Sequence, residues 1–439
     1  MHITNNRSRR YRWVVLLVYF LLAAMIQVHW ITFAPITVEA IGLYNTSAFW
    51  IVLLSMSFMV IYIAVSAPAS YIIDRYGLRL GVGIGAVLMA VFGYLKGALG
   101  HDYTIVCVSQ FGLAIAQPFV LNATTKIASD WFPVNERATA TGIGTLAQFV
   151  GILLAMAITK PLAQSFLPDG ISDLTIESVQ STLKVYGLLS IAVALIFLVL
   201  IRDNPPVSFR KMGTSTREHS GWQGIGQLFR QRDMVLLLFV FFIGLGLFNA
   251  LTTYIDLLLA SKGYLAGGNE SGLVGAVMMG SGIAGAVVIP VVSDKIRRRK
   301  AVLLFCLVAL LPGLAGLSFF TGFTPLVISS GILGFFIMGA APVGFQYAAE
   351  VSHPVPESTS LGMILLSGQV SGILFILIMG LVGNVTMEAF ANARKASESL
   401  TMTPIMIGFV ILSVINVFLA AGLNEYRPGN VKMNVSVEK

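Results

Sequence analysis

The sequence predicts an all-α membrane protein in which twelve transmembrane helices form two pseudo-symmetric six-helix bundles. The first observation behind this fold class is composition: 56% of the 439 residues are hydrophobic and 11% are charged, whereas soluble domains carry about 25% charged residues. The second is length, because apolar stretches of the roughly 20 residues that a membrane helix needs recur along the chain. The third is an internal repeat.

Twelve apolar stretches are predicted to cross the membrane. The first stretch is too long for the apolar core of a signal peptide, and no clear small-residue cleavage site follows it, so it is predicted to be the first span. The predicted limits are 13–37, 48–73, 80–100, 103–127, 138–161, 183–202, 234–260, 271–293, 301–320, 324–350, 358–383 and 403–424.

The repeat relates the two halves of the chain. A charged loop between apolar stretches occurs at 74–79 and again at 294–299, and Gln148 of the first half is matched by Gln369 of the second. Related halves with basic hairpins at matching points are typical of secondary transporters. The predicted regions are a first bundle at 1–202, a cytoplasmic linker at 203–232, a second bundle at 233–426 and a cytoplasmic tail at 427–439.

The basic residues lie mainly on one side of the predicted membrane. With the N-terminus in the cytoplasm, all but six of the 28 Lys and Arg fall in inward loops, the linker or the tails. This bias follows the positive-inside rule and predicts cytoplasmic termini. It also accounts for the net charge of +8 without a nucleic-acid partner. The six outward residues are Lys96, Lys160, Lys184, Lys262, Arg394 and Lys395.

Signatures of catalysis are missing from the sequence. No His/Glu or Cys pair has metal-ligand spacing, and neither a nucleophile elbow nor a phosphate-binding loop occurs. Gly81, Gly83 and Gly85 are not a nucleotide-binding fingerprint, because they lie within a span and follow no strand. We therefore predict a protein that is not an enzyme and has no metal or other cofactor.

The loop after the second span carries a motif, Asp74-Arg75-x-Gly77-x-Arg79. This motif resembles the signature loop of the major facilitator superfamily. Its degenerate copy at 294–299 lies between spans 8 and 9, where that superfamily also repeats it. The resemblance covers almost the whole chain and implies the major facilitator fold.

Four segments carry a closer resemblance: Ile26-Gln27-Val28-His29-Trp30, Ala116-Gln117-Pro118-Phe119-Val120-Leu121, Gly344-Phe345-Gln346-Tyr347-Ala348-Ala349-Glu350 and Gly368-Gln369-Val370-Ser371-Gly372. They resemble the family of the feline leukaemia virus subgroup C receptor, solute carrier family 49, whose members have been linked to choline, ethanolamine, haem and pyridoxine-like solutes. The resemblance puts the family's cavity tryptophan at Trp30 and its two cavity glutamines at Gln117 and Gln369. The aromatic residue expected in span 7 falls near Asn249, a departure that speaks against a choline-type substrate.

Polar side chains from four spans are predicted near mid-depth, where secondary transporters bind their substrates. They are Trp30, Gln117, Asn249 and Gln369. An amide without a partner in lipid costs several kcal/mol, so the amides must face a cavity or one another. The alternative for the amides is hydrogen bonding that only holds helices together. Trp30 could stack on a cationic or flat ligand, and its alternative is packing in the core or against lipid.

Few residues are candidates for ion coupling. His29 is the only histidine within a span and could carry a proton, although a neutral, hydrogen-bonded histidine is equally compatible with the sequence. Glu39 and Asp256 lie near the outer ends of spans 1 and 7. Proton-driven pumps usually carry an acidic residue deep in a span, and none occurs here at mid-depth. This favours facilitated diffusion, or coupling through one of these three residues.

The charged loops also predict a cytoplasmic gate. The superfamily resemblance packs Asp74 against the start of span 11, whose free backbone N–H groups suit a carboxylate. By pseudo-symmetry, Asp294 meets the start of span 5. Both contacts require a closed cytoplasmic side, and the alternative is that the loops only anchor their hairpins. The other predicted gate residues are Arg75, Arg79, Arg137, Glu350 and Glu357.

These observations predict a secondary-active or facilitative transporter that moves a small organic solute by alternating access. The leading solutes are amino-alcohols and other cationic or vitamin-like metabolites. One alternative is a proton-coupled exporter of larger amphiphiles, and another is a non-transporting receptor or sensor with the same fold. The expected partners are the solute and the lipid bilayer, and we expect a monomer in the plasma membrane.

Overall fold

The computed structural model describes residues 3–133, 137–168, 170–171, 173–201, 226–264, 269–296, 298–352, 355, 357–382 and 402–425. Within these residues, twelve helices are long and apolar enough to cross a membrane, as the sequence predicts. Most of the predicted linker and all of the predicted tail lie outside the described residues. We call the end of the bundles that carries the loop after span 2 the inner end, and the opposite end the outer end.

The first six spans are built from eight helices. The first span contains α1, a 3-10 turn at Ala34–Ile36 and α2, and the fourth contains α5 and most of α6. Pro35 in the turn has no N–H to continue the helix, which accounts for the break in the first span. The bounds are α1 Ile3–Ile31, α2 Thr37–Leu43, α3 Ala48–Tyr76, α4 Leu78–Ala98, α5 Tyr103–Leu121, α6 Thr124–Trp131, α7 Arg137–Gln164 and α8 Ile176–Leu200.

The last six spans follow the same plan. The seventh span is again followed by a short helix, α10, at its outer end. Spans 9 and 10, which run together in the sequence, are separated only by residues 320–322. The bounds are α9 Arg232–Thr253, α10 Ile255–Ala260, α11 Asn269–Ile296, α12 Arg299–Phe319, α13 Phe323–Val351, α14 Glu357–Val382 and α15 Thr403–Ala421.

Helix packing shows the relation between the two halves. In the first bundle, span 1 packs on span 5, span 2 on span 4 and span 3 on span 6. The corresponding pairs of the second bundle, six spans later, are 7 with 11, 8 with 10 and 9 with 12, and all three are in contact. Between the bundles, span 5 packs on span 8 and span 2 on span 11. These two contacts are equivalent under the repeat, because spans 8 and 11 are the counterparts of spans 2 and 5. The sequence repeat is therefore a structural repeat.

Small residues allow the closest helix approaches. At the contact of α4 with α8, a Cβ added to Gly97 would lie 2.6 Å from the backbone of Lys184. Any larger residue would push the two helices apart. Such contacts are expected between membrane helices, whose association depends on close packing because lipid is as apolar as the helices themselves.

The outer ends of the two bundles are in contact. The 3-10 turn and α2 of the first span pack against α10, and the 3-10 turn also touches α11. A Cβ added to Gly275 of α11 would lie 3.0 Å from the sulfur of Met156 of α7, in the outer half of the bundles. The structure is therefore closed toward the outer side.

Candidate functional site

Three amides form a chain across the first bundle. Gln117 of α5 donates from Nε2 to Oε1 of Gln27 on α1 at 2.9 Å. Gln27 in turn donates to Oε1 of Gln148 on α7 at 3.5 Å. Gln117 is buried and its amide bonds to another amide, which is one of the two arrangements that the sequence left open. Gln27 was not among the predicted site residues, although an amide inside an apolar span is the signal that could have identified it.

Trp30 connects the first two spans. Its indole Nε1 donates to the backbone carbonyl of Ser55 at 3.1 Å, and the Ser55 hydroxyl donates to the carbonyl of Trp30 at 3.4 Å. The side chain is only 6% exposed. The hydrogen bond fixes the orientation of the indole ring, so a ligand that stacks on the ring would not have to order it first.

In the second bundle, Asn249 contacts the segment of span 11 that carries Gln369. Asn249 of α9 donates from Nδ2 to the carbonyl of Gly368 on α14 at 3.3 Å, next to Gln369 in the chain. A Cβ added to Gly372 would lie 2.8 Å from this amide nitrogen and 2.9 Å from the sulfur of Met59 on α3. This segment of span 11 therefore contacts both span 7 and the other bundle.

Gln369 differs from the other predicted site residues. It is half-buried, and within the part of the chain that the structure describes its amide makes no hydrogen bond. An amide at mid-depth of a membrane helix needs a partner. Gln369 is thus the site residue that is most open to a ligand.

His29 lies in the interior of the first bundle. Its Nε2 is 2.7 Å from the hydroxyl of Ser190 on α8, and its ring packs edge-on against Tyr186. The ring is fully buried, and Nδ1 has no hydrogen-bond partner among the described residues. The prediction that His29 carries a coupling proton gains no support from this position, which matches the alternative of a hydrogen-bonded core histidine.

Lys96 is buried, in contrast to its predicted outward location. Its ammonium group is 3.5 Å from the carbonyl of His29 and lies 5.0 Å from the centre of the Phe33 ring. Gln110 donates to the same carbonyl at 2.9 Å. The break after α1 exposes carbonyl groups that a continuous helix would use, and these attract the lysine into the bundle.

A cluster of charged residues joins the bundles at the outer end. Glu39 of α2 forms an ion pair with Lys160 of α7. Asp256 of α10 is 2% exposed and accepts a hydrogen bond from the backbone N–H of Val38 at 3.0 Å. The hydroxyl of Ser271 on α11 donates to the carbonyl of Pro35 at 3.4 Å. Glu39 and Asp256, predicted separately, therefore belong to one outer gate across the bundles.

Two carboxylates share a single lysine in this outer gate. Asp256 lies close enough to Glu39 and Lys160 to interact electrostatically with both. The Oε2 atom of Glu39 is buried without a hydrogen-bond partner among the described residues. A buried cluster with one excess negative charge favours the binding of a proton or another cation. Lys160 was predicted only as an outward-facing basic residue.

The predicted cytoplasmic gate is described only in part. Arg75 and Arg79 are exposed, and Arg75 contacts the ring of Tyr71 in its own helix. Glu350 pairs with Arg299 of the same bundle at 3.4 Å rather than with an arginine of the first bundle. The side chains of the remaining predicted gate residues lie outside the described part of the structure: Asp74, Arg137, Asp294 and Glu357.

The fold and the central amides define a membrane transporter of the major facilitator type. Residues 15–376 match the family model described as Major Facilitator Superfamily. Solute carrier family 49 member A3 of Xenopus tropicalis is 30% identical, with 85% of this chain and 78% of the relative covered. Its counterpart in Danio rerio is 29% identical, with 95% and 88% covered. The chain therefore belongs to the major facilitator superfamily and, within it, to solute carrier family 49.

Another relative and two solved structures are also similar to this chain. The choline/ethanolamine transporter FLVCR2 of Homo sapiens is 28% identical, with 85% of this chain and 72% of the relative covered. Among solved structures, a bacterial homolog of the human lysosomal transporter Spinster, inward-facing and unoccupied, has a TM-score of 0.75 at 17% identity, with 95% and 99% of the two chains covered. The nucleoside transporter NupG has a TM-score of 0.66 at 13% identity, with 93% and 99% covered. At these identities the solved structures show the fold alone.

Proposed function

We propose that this protein moves a small, hydrogen-bonding organic solute across the membrane by alternating access. The observation that carries the proposal is Gln369, a half-buried amide at mid-depth without a partner among the described residues. It follows Gly368, whose carbonyl accepts a hydrogen bond from Asn249, while the first bundle contributes the amide chain and Trp30. Polar groups from both bundles are what a solute needs at the midplane site of a secondary transporter.

Amino-alcohols are the substrate class that this chemistry supports best. The site offers amide groups and an indole ring but no carboxylate among the described residues, so a cationic solute would rely on carbonyl oxygens and on the ring face. Relatives named as choline/ethanolamine transporters support the same class. Because Asn249 donates through Nδ2, its Oδ1 remains as an acceptor. This favours an ammonium group that carries N–H donors, as in ethanolamine, over the quaternary group of choline.

The transport cycle follows from the contacts between the bundles. The outer gate and the contact of Met156 with α11 hold the outer end closed. Release of these contacts would open the site to the outside, and the charged loops at the inner end would then close that side. In this proposal the two bundles move as the units 1–202 and 233–426, joined by the linker 203–232. The termini lie in the cytoplasm, and the protein is a plasma-membrane monomer.

Coupling to protons is a second candidate, and the outer gate favours it. The cluster of Glu39, Asp256 and Lys160 has one excess negative charge, and a bound proton would remove it. A proton bound only in the outward-closed state would link transport to a pH gradient. Facilitated diffusion predicts uptake that does not depend on such a gradient.

Uptake of labelled ethanolamine into proteoliposomes tests the proposal. We expect saturable uptake that is competed by excess ethanolamine, and an inward proton gradient should change the rate if the outer gate binds a proton. Gln369→Ala should reduce uptake at least about tenfold, because the solute loses a direct hydrogen bond to the amide. Gln164→Ala, at the outer end of α7, is the matched control and should retain uptake. Binding without uptake would instead support a receptor or sensor.

A further inference from the structure

A cavity lies inside the second bundle, at the same depth as the candidate substrate site. It is lined by α9, α12, α13 and α15, with Phe149 of α7 as the one contribution from the first bundle among the described residues. Phe149 follows Gln148 of the amide chain, and the cavity residue Phe248 precedes Asn249. The cavity therefore adjoins the polar site, and we call it the side chamber.

The walls of the side chamber are almost entirely apolar. No charged side chain lines it in the described part of the chain, and the polar ones are Ser413 and Asn416. Residues 413 and 416 are three apart on α15 and share one helix face. Phe149 of the first bundle is half-buried, as are Gly244 and Phe248, whereas Asn416 is only 3% exposed. The chamber is thus less enclosed beside Phe149, and its polar end lies in the interior of the second bundle.

Asn416 presents an unused hydrogen-bond acceptor. Its Nδ2 donates to the carbonyl of Val240 at 3.1 Å, which fixes the orientation of the amide. Its Oδ1 is buried without a partner among the described residues. A buried acceptor in apolar surroundings favours any occupant that can supply a donor.

The chamber has room for a small group. It offers about 80 Å³ to the centres of water-sized molecules, and a single water needs only about 10–15 Å³. The space suits one ring or a short alkyl chain rather than a complete lipid. At Gly244, on the wall of the chamber, an added Cβ would meet no atom within 4 Å. A larger residue at this position would therefore enter empty space.

We propose that the side chamber is a subsite for an uncharged apolar group that carries one hydrogen-bond donor, directed at Asn416. This identification rests on the proposed function: the group is a substituent of the transported solute, and the amine and hydroxyl groups of that solute occupy the polar site. The chamber would then select amino-alcohols with a small ring or alkyl substituent over the unsubstituted compounds. Each methylene buried there should tighten binding about fourfold, which corresponds to about 0.8 kcal/mol.

The first test uses alkylation of a cysteine inside the chamber. Ala340→Cys is introduced with Cys107→Ser and Cys306→Ala, and its reaction with N-ethylmaleimide is followed by mass spectrometry. Benzyl alcohol, which has a ring and one donor, should slow the reaction. Asn416→Leu should weaken this protection about tenfold, because the donor loses its acceptor. A reaction rate that benzyl alcohol does not change overturns the subsite, whatever the protein transports.

The second test links the chamber to the polar site. N-(3-hydroxybenzyl)ethanolamine, whose ring carries the donor for Asn416, should protect the cysteine introduced at position 340 at a concentration at least about tenfold below that of benzyl alcohol, and should compete with ethanolamine uptake more strongly than ethanolamine itself. Gly244→Leu should fill part of the chamber, so that the inhibition constants of the substituted amine and of ethanolamine become more alike. Gly244→Ala, which adds a smaller side chain, should have the same effect to a lesser degree. Gly408→Leu on α15, where an added Cβ also meets no atom within 4 Å, is the matched control. Protection by benzyl alcohol with no added effect of the amine would retain the chamber and reject the proposed substrate class.

Discussion

At the scale of single residues, the most informative groups are those that complete the broken first span. Gln110 and Lys96 donate to the carbonyl of His29, where α1 ends. Asp256 accepts from the N–H of Val38, where α2 begins. The carbonyl side of the break is thus held by the first bundle and the N–H side by the second. A break in a helix leaves backbone groups without partners, and here those groups connect the bundles.

Asp256→Ala should weaken the outer gate. The backbone N–H of Val38 then loses its acceptor, and a buried donor that is left without a partner costs about 1–3 kcal/mol. We expect the outward-open population to rise about tenfold. The measurement is labelling of Met59→Cys, in the outer half of α3, by a membrane-impermeant maleimide added from outside. Glu177→Ala, which changes an exposed acid at the outer end of α8, is the control, and equal labelling of the two variants would exclude Asp256 from the gate.

Lys96→Met should leave the protein folded and at least as stable as the parent. A buried charge without a carboxylate partner is costly, and replacing it with an apolar side chain of similar length removes that cost. Gln110→Leu should be destabilising by about 1–3 kcal/mol, since the main donor to the His29 carbonyl is lost. Thermal unfolding of the purified variants in detergent measures both effects. A melting temperature that falls more for Lys96→Met than for Gln110→Leu would contradict this account.

At the scale of helices, the packing of matching pairs decides the shape of each bundle. Spans 3 and 6 approach closely at Gly97, and spans 9 and 12 are the corresponding pair in the second bundle. The side chamber adjoins this second pair, since α12 and α15 both line it. The two halves therefore share a plan, and the side chamber lies beside this pair in the second half.

Gly97→Ala should separate α4 from α8. The new Cβ would lie 2.6 Å from the backbone of Lys184, and backbone cannot yield as a flexible side chain can. We expect a loss of about 1–3 kcal/mol, as for other overpacked interiors, measured as a lower melting temperature. At Gly142 of α7 an added Cβ meets no atom within 4 Å. Gly142→Ala should therefore be neutral or slightly stabilising, because alanine favours helix more than glycine does.

At the scale of the whole molecule, the structure corresponds to the outward-closed state of the proposed alternating-access cycle. The outer ends are joined by the outer gate and by the contact of span 5 with span 8. In this state Glu350 pairs within its own bundle, with Arg299. That pairing is compatible with the prediction that contacts between the bundles at the inner end form only when the cytoplasmic side closes.

Asp74→Asn should shift the molecule toward the inward-open state. The predicted contact of Asp74 with the start of span 11 stabilises the outward-open state, by about 0.3–2 kcal/mol if it resembles other carboxylates at helix N-termini. We expect a several-fold rise in cytoplasmic labelling of a cysteine in the inner half of the cavity, with a fall in external labelling. Unchanged labelling from both sides in a folded variant would leave only the anchoring role for this loop.

The sequence by itself determined the class of protein, the number of spans and the superfamily. These follow from composition, from stretches of about 20 apolar residues and from the repeated loop, all of which are local properties of the chain. It also identified Gln369, Asn249, Glu39 and Asp256 as polar residues in unusual surroundings. Such residues stand out because an apolar span tolerates few of them.

Only the tertiary structure decided which of these residues meet. Glu39 and Asp256 are more than 200 residues apart, and the sequence pattern contained nothing that paired them across the bundles. Lys96 was counted with the outward basic residues but lies inside the first bundle, because the face that a span turns inward depends on its neighbours. For His29 the sequence left two roles open, and only the tertiary structure shows its partner, Ser190. The side chamber has no signal in the sequence, because a cavity depends on how four helices pack. The depth of a residue in the membrane follows from its position along one helix, whereas a contact between residues depends on the packing of several helices.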